Sequence, residues 1–445
     1  MFNVREYEPA KATSRMSDGN IKWEQILTVA SQSDLGMRRT NNQDNFCVSL
    51  AQNGDQWSKR GHLFIVADGM GAHAAGELAS KLAVDQIPLL LSKLRDSTPA
   101  ERLKRAIVDT NAEIHRKGQA NEEFHHMGTT CSALTLSPDG ALAAHVGDSR
   151  VYRFRSNRLE QLTFDHSLVW EMRAAGSITN KEDLSKIPKN VITRSLGPYP
   201  EVQVDLEGPF PVLPGDSYLL CSDGLTGQVS DEEIGAVLAV LPPVEATRLL
   251  IDLANLRGGP DNTTIIIARV NSPLPNTVPS PVKAPPAGKS NKKFFAILTA
   301  LAGILLLVSL IMIASKLWLG LIPAVLAVIL LFLSLIKLTS GPQGSTSAAS
   351  GQSYGKGPYT QTDCGAAGWE LTKHLKAMAE QILNEAKSRD WKLDPKQLAT
   401  LLSEGEKALQ AKELRTALRS YALTVSDLMN QIRKQPGSGS SSLEL

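Results

Sequence analysis

Two uncharged apolar runs divide this 445-residue chain and limit what it can fold into. Residues 294–315, FFAILTALAGILLLVSLIMIAS, and 317–336, LWLGLIPAVLAVILLFLSLI, hold no Asp, Glu, Lys or Arg, and only Lys316 parts them. At about 1.5 Å per residue each run crosses a hydrocarbon layer roughly 30 Å thick. One helix over both would be about twice too long, so the expectation is a transmembrane helical hairpin turning near Lys316–Gly320. Pro323 then falls in the first turns of the second span, where proline is tolerated. Lys283, Lys289, Lys292 and Lys293 precede the first span and Lys337 closes the second, which predicts both termini on the cytoplasmic side of a multi-pass protein.

The flanks set the remaining boundaries. Residues 1–21 form an N-terminal extension without the apolar core of a cleavable signal peptide. A first domain is expected over 22–270, a Pro-rich tether over 271–293, the two spans within 294–337, and a Gly/Ser-rich linker over 338–365. A small all-α segment follows over 366–435, rich in Ala, Leu, Glu and Lys, with Asp394-Pro395 interrupting its helical period. Residues 406–425 of it faintly resemble half a tetratricopeptide repeat, against which stands a plain helical bundle. Residues 436–445 are expected to be a disordered tail. A net charge of +2 offers no field for nucleic acid. The four cysteines, Cys47, Cys131, Cys221 and Cys364, form no C-x-x-C pair, which argues against a zinc ribbon or a disulfide framework and fits a reducing compartment.

Within 22–270, HLFIVADG (62–69), CSALTLS (131–137), ALAAHVGDSRVYRFR (141–155), DSYLLCSDG (216–224) and TTIIIARV (263–270) read as strands. Residues 76–94 and 99–119 carry helical apolar periods. Helices in a block and locally paired strands predict an α+β domain with antiparallel sheets. The recurrent chemical feature is an aspartate beside a strand: Asp44, Asp68, Asp148, Asp223 and Asp261, three of them with an adjacent glycine. One such aspartate is ordinarily a turn former. Five in one domain, without His or Cys partners, suit the hard ions Mg(II) or Mn(II). The loop DGMGAHAAG has neither the glycine spacing of a dinucleotide fingerprint nor the lysine of a Walker A loop.

These stretches carry a resemblance. SDLGMRRTNNQD (33–44), DGMGAHAAGELAS (68–80), MGTTCSAL (127–134), HVGDSRVYRFR (145–155), LTFDHSLV (162–169), ITRSLG (192–197), LLCSDGLTGQVS (219–230) and GGPDNTT (258–264) are similar, in order, to the motifs of the metal-dependent PPM (type 2C) protein serine/threonine phosphatases, with the D-G-M-G-x-H loop of the bacterial branch. The resemblance implies a four-layer αββα sandwich of two antiparallel sheets flanked by helices, with two Mn(II) or Mg(II) ions at one end and a third, weaker one. By position Asp68 would bridge the two ions, with the Gly69 carbonyl on one of them. Asp223 and Asp261 would complete the core with Asp44 close by, and Asp148 would help to hold the third ion. Arg39, with Arg38 as competitor, would bind phosphate bidentately. His73 would either protonate the leaving alkoxide or orient a water on the metal. Gln43 stands where glutamate is more usual, and residues 170–190 fall in the position of the family's flap. The implied function is hydrolysis of phosphoserine and phosphothreonine in proteins by a metal-activated water, at a bacterial inner membrane and opposing a Ser/Thr kinase. No cysteine begins a C-x5-R signature, which excludes the cysteine-dependent phosphatases. A pseudophosphatase is the competing reading, and every metal-site aspartate it would lack is present.

Overall fold

The computed structural model describes residues 23–72, 74–94, 97–177, 187–188, 191–275, 353–389 and 391–433. Both apolar runs therefore lie outside the described residues, as do the N-terminal extension, most of the tether and the C-terminal tail. Among the described residues no helix is long and apolar enough to cross a membrane.

In chain order the elements are α1 (Trp23–Ile26), β1 (Leu27–Asp34), β2 (Asp44–Ser49), α2 (Gly54–Arg60), β3 (His62–Met70), α3 (Ala75–Lys93), α4 (Pro99–Ala120), β4 (Gly128–Thr129), β5 (Cys131–Ser137), β6 (Gly140–Val146), β7 (Arg150–Arg155) and β8 (Arg158–Gln161). There follow α5 (Leu168–Ala174), β9 (Asp205–Phe210), β10 (Ser217–Cys221), α6 (Asp223–Thr226), α7 (Asp231–Val240), α8 (Pro243–Leu256) and β11 (Thr263–Val270). The C-terminal part supplies β12 (Thr360–Asp363), α9 (Ala367–Ser388), α10 (Pro395–Gln410) and α11 (Leu414–Ile432). One antiparallel sheet runs β1-β11-β10-β7-β8-β12 and the other β2-β3-β5-β6-β9, with β4 beside β3.

The central strands β3, β5, β10 and β11 are buried on both faces because both faces are covered. In β3, Phe64 and Val66 pack toward the other sheet with Leu134, Leu136, Leu220 and Ile266, while Leu63, Ile65 and Ala67 pack on α3 and α4 through Ile87, Leu103 and Ile107. In β10 and β11, Leu219, Cys221, Ile265 and Ile267 face outward instead, onto Val237, Leu249 and Leu253 of α7 and α8. This period-two division produces four layers. Helix starts follow local chemistry: Thr98 and Glu101 close a capping box on α4, and Ser230 and Glu233 close one on α7.

The stretch expected as one strand over 141–155 is two strands in different sheets. β6 ends at Val146, and the backbone crosses at Gly147–Ser149 to enter β7 at Arg150. Gly147 has φ +112°, and a Cβ there would stand 2.6 Å from the Thr130 side chain, so only glycine makes the step.

A second difference concerns the C-terminal part. Residues 338–365 read as a flexible linker, yet 353–365 are built into the fold. Tyr354 bridges to Gly208, and β12 adds a strand to β8 in register Thr360↔Gln161 to Asp363↔Arg158. The three C-terminal helices belong to the same compact unit as the sheets rather than to a separate segment. Their apolar stripes, with Leu375 and Ile382 of α9 and Leu418, Tyr421, Val425 and Leu428 of α11, share one buried cluster with α7 and α8. Arg419 adds a two-pronged contact to Glu245 of α8. Asp394-Pro395, expected to break a helix, caps and starts α10.

Leu428→Ala is expected to lower the unfolding free energy by about 2–5 kcal/mol. In urea titrations followed by circular dichroism, the sandwich and the C-terminal helices unfold in one transition that shifts as a whole. Two separate transitions would contradict the shared core. A pH effect is expected at His62, which is buried against Trp23 and Trp57 and accepts the Ala51 N–H at Nδ1. Burial, with Arg60 nearby, lowers its pKa to about 3. The unfolded chain takes up the proton near pH 6.5 and the folded chain does not, so the neutral ring's stability is complete above pH 6.5 and is lost as pH falls toward 3. By pH 5 the loss is about 2 kcal/mol. His62→Gln therefore flattens the stability profile between pH 7 and 5, measured as a difference from the wild type.

Candidate metal centre

The even-numbered residues of β2, β3, β10 and β11 point into the space between the sheets, and at one end their pattern turns from apolar to polar. Asp44 opens β2 directly opposite Asp68 near the end of β3. Like charges face to face across a ladder repel. Ser222, just past β10, donates its hydroxyl to Asp44 Oδ2 at 2.7 Å and accepts the Thr264 N–H. Asp223 starts α6 in the next position, within hydrogen-bonding distance of the Asp68 carboxyl. Asp261 lies in the turn before β11 and accepts Arg39 Nη2 at 2.7 Å. The crossover at Gly147–Ser149 brings Asp148 to the same end.

The backbone holds this cluster rigidly. The Asp68 N–H donates to Thr130 Oγ1, and its carbonyl accepts from Thr130 N and Thr129 Oγ1. Gly69 donates to the Gln43 carbonyl, and a Cβ on it would meet the Gly76 carbonyl oxygen at 2.1 Å, so no side chain fits. Asn262 gathers the segment ahead of β2: its amide nitrogen donates to the Leu35 and Asn41 carbonyls, and its Oδ1 accepts the Gln43 N–H.

The carboxylates share a strong excess of negative charge. Burial lifts the Asp44 carboxyl to about 7 despite the Ser222 and Thr264 hydrogen bonds, with Asp223 and Asp261 adding to the rise. Burial and the fields of Asp44, Asp223, Asp148 and Asp261 hold Asp68 well above the carboxylate range. Asp148 is pushed to about 7 by burial and by Asp223 and Asp165. Asp223 is raised by burial and by Asp261. Oδ1 of Asp148 and Oδ1 of Asp223 are buried and accept no hydrogen bond. Unpartnered carboxylate oxygens crowded to this degree need cations. An all-oxygen set suits Mg(II) or Mn(II). Among the described residues no three acidic, histidine or cysteine side chains close into a protein-only cage.

The expected residues thus fall together, with two distinctions. Arg39 turns to Asp261, whereas the Arg38 guanidinium lies by Gly258, so Arg39 is the arginine at the carboxylate cluster. His73 lies outside the described residues. One supporting network escaped the sequence reading. Arg150 pairs with both oxygens of Asp165 at 2.7–3.1 Å and donates to Tyr152 Oη, which in turn donates to Asp231 at the start of α7. His166 accepts the Gly147 N–H at Nδ1, which pins the crossover. The only signal was the placing of charged Arg150 at the head of the otherwise apolar start of β7, since Asp165 lies in the loop after β8.

The family model "Protein phosphatase 2C" matches residues 37–248. A curated relative described as a putative protein phosphatase 2C-type, from Streptococcus pyogenes, is 38% identical over 252 residues, 55% of this chain and 98% of that one. The structure of the S. agalactiae serine/threonine phosphatase is 35% identical and covers 55% of this chain and 100% of its own, with a TM-score of 0.50. The catalytic domain of the phosphatase PstP, solved in complex with two manganese ions, is 33% identical over 56% of this chain and 99% of that one, with a TM-score of 0.47. A relative 38% identical and matched over nearly its whole length, together with the family model, shows that this chain belongs to the protein phosphatase 2C family.

Proposed function

We propose that the protein hydrolyses phosphoserine and phosphothreonine in proteins at a Mn(II)- or Mg(II)-dependent centre formed by Asp44, Asp68, Asp148, Asp223, Asp261 and the Gly69 carbonyl. The observation that carries this reading is the convergence of five carboxylates, two with orphaned buried oxygens, beside a single half-exposed arginine. Bound divalent ions lower the pKa of water and stabilise the in-line displacement of a phosphate ester. The protein's own groups do the rest. Asp68, fixed by Thr129 and Thr130, presents its carboxylate from the strand end, and Ser222 orients Asp44. Arg39 uses one N–H on Asp261, and its fork can take two oxygens of a phosphate dianion. In this reading His73 either protonates the leaving alkoxide or orients a water at the centre. Phosphorylated proteins are the proposed substrates and a Ser/Thr kinase the proposed counterpart.

We place the catalytic unit at the cytoplasmic face of a membrane, anchored through 294–315 and 317–336. Residues 23–275 and 353–433 share one compact unit, which supports an even number of crossings between them.

With a phosphothreonine peptide, turnover by the full-length protein is expected to vanish with chelator and to return with Mn(II). Asp68→Asn or Asp223→Asn should cost more than the roughly 10–100-fold lost when groups supporting a metal's ligands are removed. Arg39→Ala should lower kcat/KM roughly 10–100-fold, about 1.5–3 kcal/mol, with Arg39→Lys restoring little. Turnover that survives both chelation and Asp223→Asn would overturn the metal-dependent reading. For the anchor, the full-length protein is expected in the membrane pellet after carbonate extraction of bacterial cells, and its release to the supernatant would sink that part.

A further inference from the structure

The segment that re-enters the fold after the apolar runs makes contacts of a specific kind. Glu207 of β9 is 2% exposed, and the hydrogen bonds to its carboxylate come from this segment: the Gly357 N–H at 2.9 Å and the Tyr359 hydroxyl. The Tyr359 N–H donates to the Gln161 carbonyl, and β12 continues from there along β8. Tyr359 is therefore fastened at its backbone to one sheet and at its hydroxyl to the other.

Its ring reaches toward the metal centre. Tyr359 lies edge-to-face on Phe164 with centroids 5.4 Å apart, and Phe164 lies edge-to-face on Trp170 of α5 at 5.3 Å. The Arg150 guanidinium sits over Trp170, 5.7 Å from its centroid. The residues that follow Phe164 are sewn to the crossover that carries Asp148. Asp165 takes the Arg150 fork, the His166 N–H donates to the Gly147 carbonyl at 2.7 Å, and the Gly147 N–H donates to His166 Nδ1. The stretch 164–170 is thus held between Tyr359 on one side and residues 147–150 on the other.

We propose that Tyr359 is a positioning residue for the Asp148 side of the metal centre, acting through Phe164 and the 164–170 stretch. This rests on the phosphatase reading for its effect on turnover, but not for its effect on the backbone. The residues that follow the apolar runs then supply one wall of the active-site scaffold. The ring of Tyr359 carries the effect through its contact with Phe164, while the hydroxyl serves Glu207.

The test compares wild type, Tyr359→Ala, Tyr359→Phe and, should the alanine variant fold poorly, Tyr359→Leu, all as full-length proteins. Amide exchange is measured on metal-free protein, with kcat and KM on a phosphothreonine peptide in Mn(II). Removing the ring contact should speed exchange at the amides of Gly147, His166 and Leu168 roughly three- to tenfold, while the Leu63–Ala67 amides of β3 keep their protection. In the same variants kcat falls severalfold with KM unchanged, and Tyr359→Phe stays close to wild type on both measures. Unchanged exchange at those three amides in the alanine and leucine variants overturns the proposal, as does uniform loss of protection through both sheets. A wild-type protein without metal-dependent turnover refutes the phosphatase reading, and the exchange comparison still decides the role of Tyr359.

Discussion

Repulsion among buried carboxylates is the constraint on which the rest of this structure depends. Asp44 and Asp68 face each other across adjacent strands, with Asp223, Asp148 and Asp261 adding their fields. Left to itself such a cluster would protonate or pull apart. What keeps it together is a frame that cannot yield: two sheets whose strands are buried on both faces, with helices closing each outer face. The hydrogen bonds at the cluster go mainly to backbone groups and hydroxyls, so they set geometry without supplying positive charge. That deficit is what a divalent ion fills, and the half-exposed Arg39 stands at its edge, paired with Asp261.

Much of this was legible in the linear sequence, and the reasons differ by residue. The five aspartates stood out together: one carboxylate at a strand end is ordinarily a turn former, but five in one domain without His or Cys partners suit hard divalent ions. The strands β3, β5, β10 and β11 were legible as continuous apolar runs bounded by turn residues. What failed was the placement of a strand within a sheet. Residues 141–155 read as one long strand because apolar runs flank the short polar step Gly147-Asp148-Ser149, and only the close approach of Thr130 to Gly147 reveals that the backbone crosses there between sheets. The Arg150–Asp165–Tyr152–Asp231 network was invisible for a related reason. Arg150 and Tyr152 are neighbours on one strand, but Asp165 lies 15 positions beyond Arg150 and Asp231 79 beyond Tyr152, and each reads singly as an ordinary charged or aromatic residue.

The C-terminal part shows the same limit on a larger scale. Gly, Ser and Thr around residues 340–365 say only that the backbone is locally permissive. They carry no information about Glu207, a buried carboxylate on a strand some 150 positions earlier. The apolar stripes of α9 and α11 were clear, but a stripe does not name its partner. Here the partner is the outer face of α7 and α8, so the family's four layers gain a fifth, and the hydrophobic core under the first sheet extends into helices that follow the apolar runs.

The late arrival of β12 bears on how the molecule is made. β8 is synthesised early, and the strand that covers its open side emerges only after the apolar runs have left the ribosome. Until then the first sheet ends in an unpaired edge, and the outer face of α7 and α8 lacks its cover. Exposed edges and apolar faces of that kind invite association with other proteins. The growing polypeptide therefore passes through an interval in which its catalytic half is synthesised but unsealed, and its own C-terminus closes that interval. Sealing of the catalytic half is in this way tied to synthesis of the residues that follow the apolar runs.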